Sequence, residues 1–122
     1  MNALGRHLLI DYYDCDAEIL KEPGGIREIL LRAVRRSGAT IVTDNFHAFE
    51  PYGVSGVVVI AESHVTIHTW PEHAYAAVDV FTCGDTMRCE TVQSEIQDAL
   101  SAGRVSSHAI DRGRALCHVP TS

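Results

Sequence analysis

The residues most capable of chemistry lie in one short stretch, where an apolar run meets Glu62, Ser63 and His64. The run from Val57 to Ile60 is entirely β-branched, which is typical of a buried strand, and no turn residue separates it from the serine. A serine hydroxyl is a weak nucleophile that needs a nearby base, and His68 follows downstream. These residue types are therefore compatible with nucleophilic chemistry by Ser63.

Strand geometry sets a condition on that chemistry. Side chains alternate between the two faces of a strand, so Ser63 and His68 would face opposite ways on a regular strand. A kink or bulge at the junction of Glu62 and Ser63 would be needed to bring the two together, and strain there would favour backbone chemistry. We therefore expect an irregular strand at this point.

Three functions are compatible with these residue types. His64, His68, His73 and Cys83 are of the types that bind zinc, which would make a metal site or a non-catalytic regulatory module. Ser63 and His68 with an acid would make a hydrolase. Histidines in a polar network of the core are the third possibility. The chain has neither a Gly-x-Ser-x-Gly elbow nor an H-E-x-x-H pattern, so residue types alone leave the three open.

The elements that must position these residues follow from periodicity. Apolar residues at helical spacing after Pro23 predict one helix ending before Gly38, and a similar pattern from Val92 to Leu100 predicts a second. Predicted strands cover residues 7–13, 39–49, 56–60, 65–70, 75–82 and 104–110. Short links between strands give antiparallel pairing. We predict an α+β two-layer sandwich, a mainly antiparallel sheet with two helices on one face.

Composition excludes several classes of function. The 122 residues are enough for one domain, and the net charge is −6 with a single lysine, which disfavours nucleic acid as a partner. No apolar run approaches the ~20 residues of a membrane span, and the first residues lack the pattern of a signal peptide. We expect a cytoplasmic protein.

The four cysteines, Cys15, Cys83, Cys89 and Cys117, contain no C-x-x-C pair. In a cytoplasmic protein such spacing disfavours disulfides. We interpret three of them as small buried apolar residues and consider Cys83 separately.

Long stretches of the chain closely resemble a known family. Residues 53–72 read GVSGVVVIAESHVTIHTWPE and residues 75–84 read YAAVDVFTCG, and both resemble the bacterial and archaeal S-adenosylmethionine decarboxylase proenzymes. The similarity covers nearly all of residues 4–113, including Leu4-Gly5-Arg6-His7-Leu8, Cys15-Asp16 and Ser37-Gly38-Ala39-Thr40. The Glu-Ser-His junction with the downstream Thr-Cys-Gly is the most specific part.

The resemblance implies that the chain cuts itself between Glu62 and Ser63, giving fragments 1–62 and 63–122. Ser63 then becomes a pyruvoyl group that forms a Schiff base with the substrate amine, so no external cofactor is needed. Ser55 matches the residue that stabilises the tetrahedral intermediate of cleavage. His68 matches the base that removes the serine Cα proton, and Cys83 matches the proton donor during turnover.

The resemblance also implies a substrate site. Phe49 matches an aromatic residue that stacks on adenine, and Glu72 matches a carboxylate that binds the ribose hydroxyls. Tyr13 is our candidate for the other face of an adenine sandwich. Relatives with the same processing motif act on L-arginine or L-ornithine, for which Glu50 or Asp44 would bind the distal cation. The resemblance favours S-adenosylmethionine, for spermidine synthesis in the polyamine pathway, and a homodimer with active sites at its interface.

Overall fold

The computed structural model describes residues 3–61, 63–83 and 87–116. Six strands form one antiparallel sheet in the order β2-β3-β4-β5-β1-β6. The strands are β1 Gly5–Tyr13, β2 Ile41–Ala48, β3 Val54–Ile60, β4 Ser63–Trp70, β5 Tyr75–Thr82 and β6 Arg104–Arg112. The helices are α1 Ala17–Lys21, α2 Pro23–Arg36 and α3 Cys89–Ala99, with 3₁₀ turns at Pro71–His73 and Arg114–Leu116. The predicted α+β fold is confirmed.

The hydrophobic core lies between the helices and one face of the sheet. Buried residues of α2 and α3, such as Leu30 and Ile96, join buried strand residues in a single cluster. β5 alternates strictly between half-buried and buried positions, so one of its faces meets the helices and the other is the open face of the sheet. Full burial of one such side chain contributes roughly 1.5–3 kcal/mol to the free energy of folding. The packing of the helices on the sheet is therefore stabilised by the sum of many such contributions.

Helix α1 was not predicted from the sequence. Its five residues are too short for a helical pattern, yet the side chain of Asp16 caps it by accepting hydrogen bonds from the backbone of Glu18 and Ile19. Leu20 of this helix is fully buried, and its carbonyl accepts a hydrogen bond of 2.9 Å from Thr69 Oγ1. That hydroxyl in turn accepts from the backbone N–H of Val54. This relay ties α1 to the paired ends of β3 and β4.

A close packing contact explains Gly56 and gives a first prediction. A Cβ added at Gly56 would lie 2.1 Å from two ring atoms of Phe46 on the neighbouring strand, so Gly56→Ala should displace that ring. We expect a loss of about 1–3 kcal/mol in the free energy of unfolding, measured by urea denaturation. Gly24→Ala is the control, since a Cβ at this helical position meets nothing within 4 Å and should be neutral or stabilising. Equal effects of the two variants would contradict this packing.

Candidate active site

The predicted cleavage point lies at a hairpin connection. Ser63 begins β4 directly opposite Ile60, the last residue of β3. Ala61 donates a backbone hydrogen bond of 3.1 Å to Thr40, and Ser63 is half-buried. Glu62, which precedes the predicted cut, lies outside the described residues. The tight link between β3 and β4 therefore ends at the serine that is predicted to react.

Ser63 and Cys83 lie at the same end of neighbouring strands. His64 pairs with Phe81 of β5, so continuing the antiparallel register brings Ser63 beside Thr82. Cys83 follows Thr82 directly and is exposed. The separation of about 5 Å between opposite Cβ atoms applies to Ser63 and Thr82, and Cys83 is one residue beyond the end of β5. We call Ser63 and Cys83 the junction group.

Ser55 and His68 form a second group at the other end of β4. They are directly opposite each other on β3 and β4, and Ser55 Oγ lies 3.0 Å from His68 Nδ1. Strand alternation places both on the open face of the sheet, opposite to the buried Val54 and Thr69. A hydroxyl in contact with an imidazole is an arrangement suited to proton transfer.

Within the described residues, β4 has no kink that would unite Ser63 with His68. Its pairing runs without a register shift from Ser63 to His68 against β3 and from His64 to Trp70 against β5. Five residues at about 3.4 Å each separate the two side chains by about 17 Å along the strand. Pairing on both sides keeps β4 regular, so a single chain does not bring Ser63 to the Ser55–His68 pair.

A cavity of about 320 Å³ adjoins His68. Phe49 and Glu72 both line it, together with Trp70. Phe49 is 51% exposed to solvent. Its backbone N–H donates a hydrogen bond of 2.8 Å to the carbonyl of Gly53. The cavity thus combines an accessible aromatic face with a carboxylate, as a site for a nucleoside requires. We call Phe49, Ser55, His68 and Glu72 the pocket group.

Tyr13 does not lie beside Phe49 within one chain, and its place in an adenine sandwich stays a prediction. Tyr13 ends β1, and the strands β3, β4 and β5 lie between it and β2, a distance of about 19 Å at 4.8 Å per strand. Its ring contacts Tyr75 at 5.4 Å, and the guanidinium of Arg104 lies 4.5 Å above it. Tyr52 and Trp70 also line the cavity with aromatic rings, and the strand parity of Trp70 with His68 was the signal for it.

Comparisons with known proteins agree with this arrangement. The family model for S-adenosylmethionine decarboxylase matches residues 6–113. The chain belongs to the S-adenosylmethionine decarboxylase family. It is 48% identical over 114 residues to the S-adenosylmethionine decarboxylase proenzyme of Acidithiobacillus ferrooxidans, covering 93% of this chain and 86% of that one.

Further relatives give the same result. The proenzyme of Thermotoga petrophila is 52% identical over 114 residues, covering 93% of this chain and 88% of its own. The crystal structure of the adenosylmethionine decarboxylase from Aquifex aeolicus VF5 superposes with a TM-score of 0.86 at 37% identity, covering 98% and 97% of the two chains. Sequence and fold are therefore shared with this family along nearly the whole chain.

Two carboxylates considered for other amine substrates differ in their surroundings. Asp44 accepts two hydrogen bonds, of 2.7 and 3.2 Å, from the guanidinium of Arg27 on α2, on the helix side of the sheet. Those bonds from Arg27 hold the pKa of the Asp44 carboxyl below its usual range. The Asp44 carboxylate is therefore already paired with Arg27 in this decarboxylase family member, whereas Glu50 is exposed in the loop after β2.

The remaining candidates for metal and thiol chemistry are separate from one another. Among residues 3–61, 63–83 and 87–116, no group of three or more His, Cys, Asp and Glu side chains could hold a metal ion. Cys15 is buried as predicted, and burial, followed by Asp14, raises the pKa of its thiol to about 11. Cys89 is half-buried, and Cys117 lies outside the described residues.

None of the helices described here is long and apolar enough to span a membrane.

Proposed function

We propose that this chain is a proenzyme that cleaves itself between Glu62 and Ser63 and then decarboxylates S-adenosylmethionine. The observation that carries the proposal is the 3.0 Å contact between Ser55 Oγ and His68 Nδ1 beside an aromatic, carboxylate-lined cavity. The names of the relatives support the same substrate. The product is the aminopropyl donor used in spermidine synthesis.

Self-cleavage begins at Ser63. Its Oγ attacks the carbonyl carbon of Glu62, the C–N bond breaks, and an ester with a free serine amine results. Donation by the Ser55 hydroxyl stabilises the oxyanion of this step. Removal of the serine Cα proton by His68 then expels the Glu62 carboxylate, and addition of water releases ammonia from the remaining dehydroalanine. The residue left at position 63 is a pyruvoyl group.

The residues of the junction group fit such a prosthetic group. Ser63 provides its carbon atoms, and the Cys83 thiol at the neighbouring strand end is exposed. When formed, the group supplies a carbonyl that draws electrons away from the substrate α-carbon as carbon dioxide leaves. Cys83 returns a proton to that carbon. Phe49 and Trp70 bind the purine, and Glu72 accepts hydrogen bonds from the ribose hydroxyls.

The separation of the two groups leads us to place each active site between two copies of the chain. The open face of the sheet presents apolar side chains to solvent, including Val59 at 36% and Trp70 at 40% exposure. An exposed apolar face of this kind is suited to a partner surface. In a two-fold symmetric dimer, the junction group of one copy can meet the pocket group of the other, and both sites are then completed at once.

The substrate is tested by carbon dioxide release from carboxyl-labelled S-adenosylmethionine, L-arginine and L-ornithine in parallel. We expect release from S-adenosylmethionine alone, because the cavity offers aromatic faces and Asp44 is already paired with Arg27. Release from arginine or ornithine, with none from S-adenosylmethionine, would contradict the substrate assignment. Glu50→Gln is the matched control, since its loss should leave S-adenosylmethionine turnover unchanged and impair only an amino acid with a distal cation.

A further inference from the structure

His47 completes a row of polar residues on the open face of the sheet. It lies directly opposite Ser55 in the pairing of β2 with β3, and Ser55 lies opposite His68. The same three residues line a cavity of about 280 Å³ with Thr66. His47 therefore stands at the border between this polar cavity and the aromatic cavity that contains Phe49.

The contacts of His47 distinguish between two roles, a hydrogen-bonding relay to Ser55 and an aromatic surface that packs on Phe49. Its imidazole packs edge-to-face against the ring of Phe49, with centroids 4.6 Å apart and planes at 71°. The Ser55 hydroxyl, in contrast, contacts Nδ1 of His68, and the His47 imidazole forms no hydrogen bond with a described residue. The imidazole is thus used as an aromatic surface and not as a relay to Ser55.

Phe49 needs such support because little else fixes its ring. Its backbone is held by the hydrogen bond to Gly53, but about half of the side chain is exposed. An exposed ring with free rotamers loses entropy when a ligand stacks on it, and a neighbour that holds the ring beforehand reduces that loss. The edge-to-face contact with His47 supplies this restraint.

We propose that His47 is a positioning residue that holds Phe49 in the orientation in which it stacks on the purine of the substrate. This inference rests on the proposed function, because it assigns the purine to Phe49. It predicts that substrate binding depends on an aromatic ring at position 47, whereas self-cleavage and the chemical step do not.

The test compares His47→Ala, His47→Gln and His47→Phe with Thr43→Ala, which alters the same face of β2 four residues earlier and lines neither cavity. Loss of the ring in His47→Ala and His47→Gln should raise KM about three- to tenfold, the range for one aromatic pair. The kcat should stay within about twofold, and the fraction cleaved should be unchanged. His47→Phe should restore KM, and Thr43→Ala should resemble the wild type.

A second measurement separates this inference from the proposed function. Trp70 is the only tryptophan and lines the same cavity as Phe49, so its fluorescence reports binding of methylthioadenosine, a nucleoside without the reacting amino acid. The Kd for this probe should change across the variants as KM does. A wild-type chain that binds the probe but releases no carbon dioxide would contradict the proposed function, and the Kd values would then decide the role of His47.

Three results would overturn the role of His47. Slower self-cleavage in His47→Ala would mean that the imidazole acts on Ser55 during cleavage and not on Phe49. A wild-type Kd in His47→Gln, with weak binding in His47→Phe, would mean that hydrogen bonding and not ring packing matters. An equal loss on adding His47→Ala to Phe49→Leu and to the wild type would show that the two residues act independently. Absence of any probe binding by the wild type would overturn the assignment as well.

Discussion

Ser63→Ala is expected to remain one uncleaved chain of 122 residues and to release no carbon dioxide from S-adenosylmethionine. Alanine has no oxygen to attack the Glu62 carbonyl and cannot become a pyruvoyl group. Activity should fall by at least about a thousandfold, because both the nucleophile of cleavage and the source of the reactive carbonyl are lost. Denaturing electrophoresis and the carbon dioxide assay measure the two effects on the same preparation.

The matched control is Ser107→Ala, a serine exposed on β6 that takes no part in either group. It should cleave and turn over like the wild type. Ser63→Ala should keep the wild-type circular dichroism spectrum, because this half-buried side chain lies at the start of a strand and outside the core cluster. If Ser63→Ala still split at this junction, the mechanism of cleavage would be wrong.

Mixed dimers of His68→Ala and Cys83→Ala subunits are expected to be active, although neither variant is active alone. His68→Ala keeps an intact junction group and Cys83→Ala an intact pocket group, so a site built from both chains is complete once per mixed dimer. Co-expression with two different affinity tags isolates these dimers. Their turnover should be about half that of the wild type, since one of two symmetric sites is complete.

The control for this experiment reverses the arrangement. A wild-type subunit paired with a subunit that carries both substitutions has no complete site if the groups come from different chains, and we expect it to be inactive. If each active site lay within one chain, this dimer would show half the activity and the His68→Ala/Cys83→Ala dimer none. The two dimers therefore give opposite results under the two models, with the same substitutions in each.

Periodicity was enough for much of the fold. β5 has the predicted bounds: its apolar run is interrupted only by Asp79 between Ala76 and Phe81, as is typical of a strand, and a 3₁₀ turn precedes it. Helix α2 begins at Pro23 as predicted, since the proline ring fits the first helical turn and Ile26, Leu30 and Val34 share one face. These features are local, and local pattern determines them.

The geometry of the site depended on pairing, which periodicity does not contain. Alternation predicted that Ser63 and His68 face opposite ways, but the regular β4 strand follows from its register with β3 and β5. The distance from Tyr13 to Phe49 follows from strand order, in which β1 enters next to β5. His47 was missed because its relation to Ser55 exists only across two strands. The reactive residues were predicted from family resemblance. The pairing of the strands shows that one chain brings Ser55 and His68 into contact but leaves Ser63 apart from them.

The most direct test of the central claim is the intact mass of freshly purified wild-type protein under denaturing conditions. The account predicts two fragments, residues 1–62 and 63–122, with the second lighter than a serine N-terminus requires by the mass of ammonia. That deficit is the signature of a pyruvoyl group derived from Ser63. A single chain of full mass, or a second fragment that still begins with serine, would contradict self-processing and favour a module that never becomes a decarboxylase.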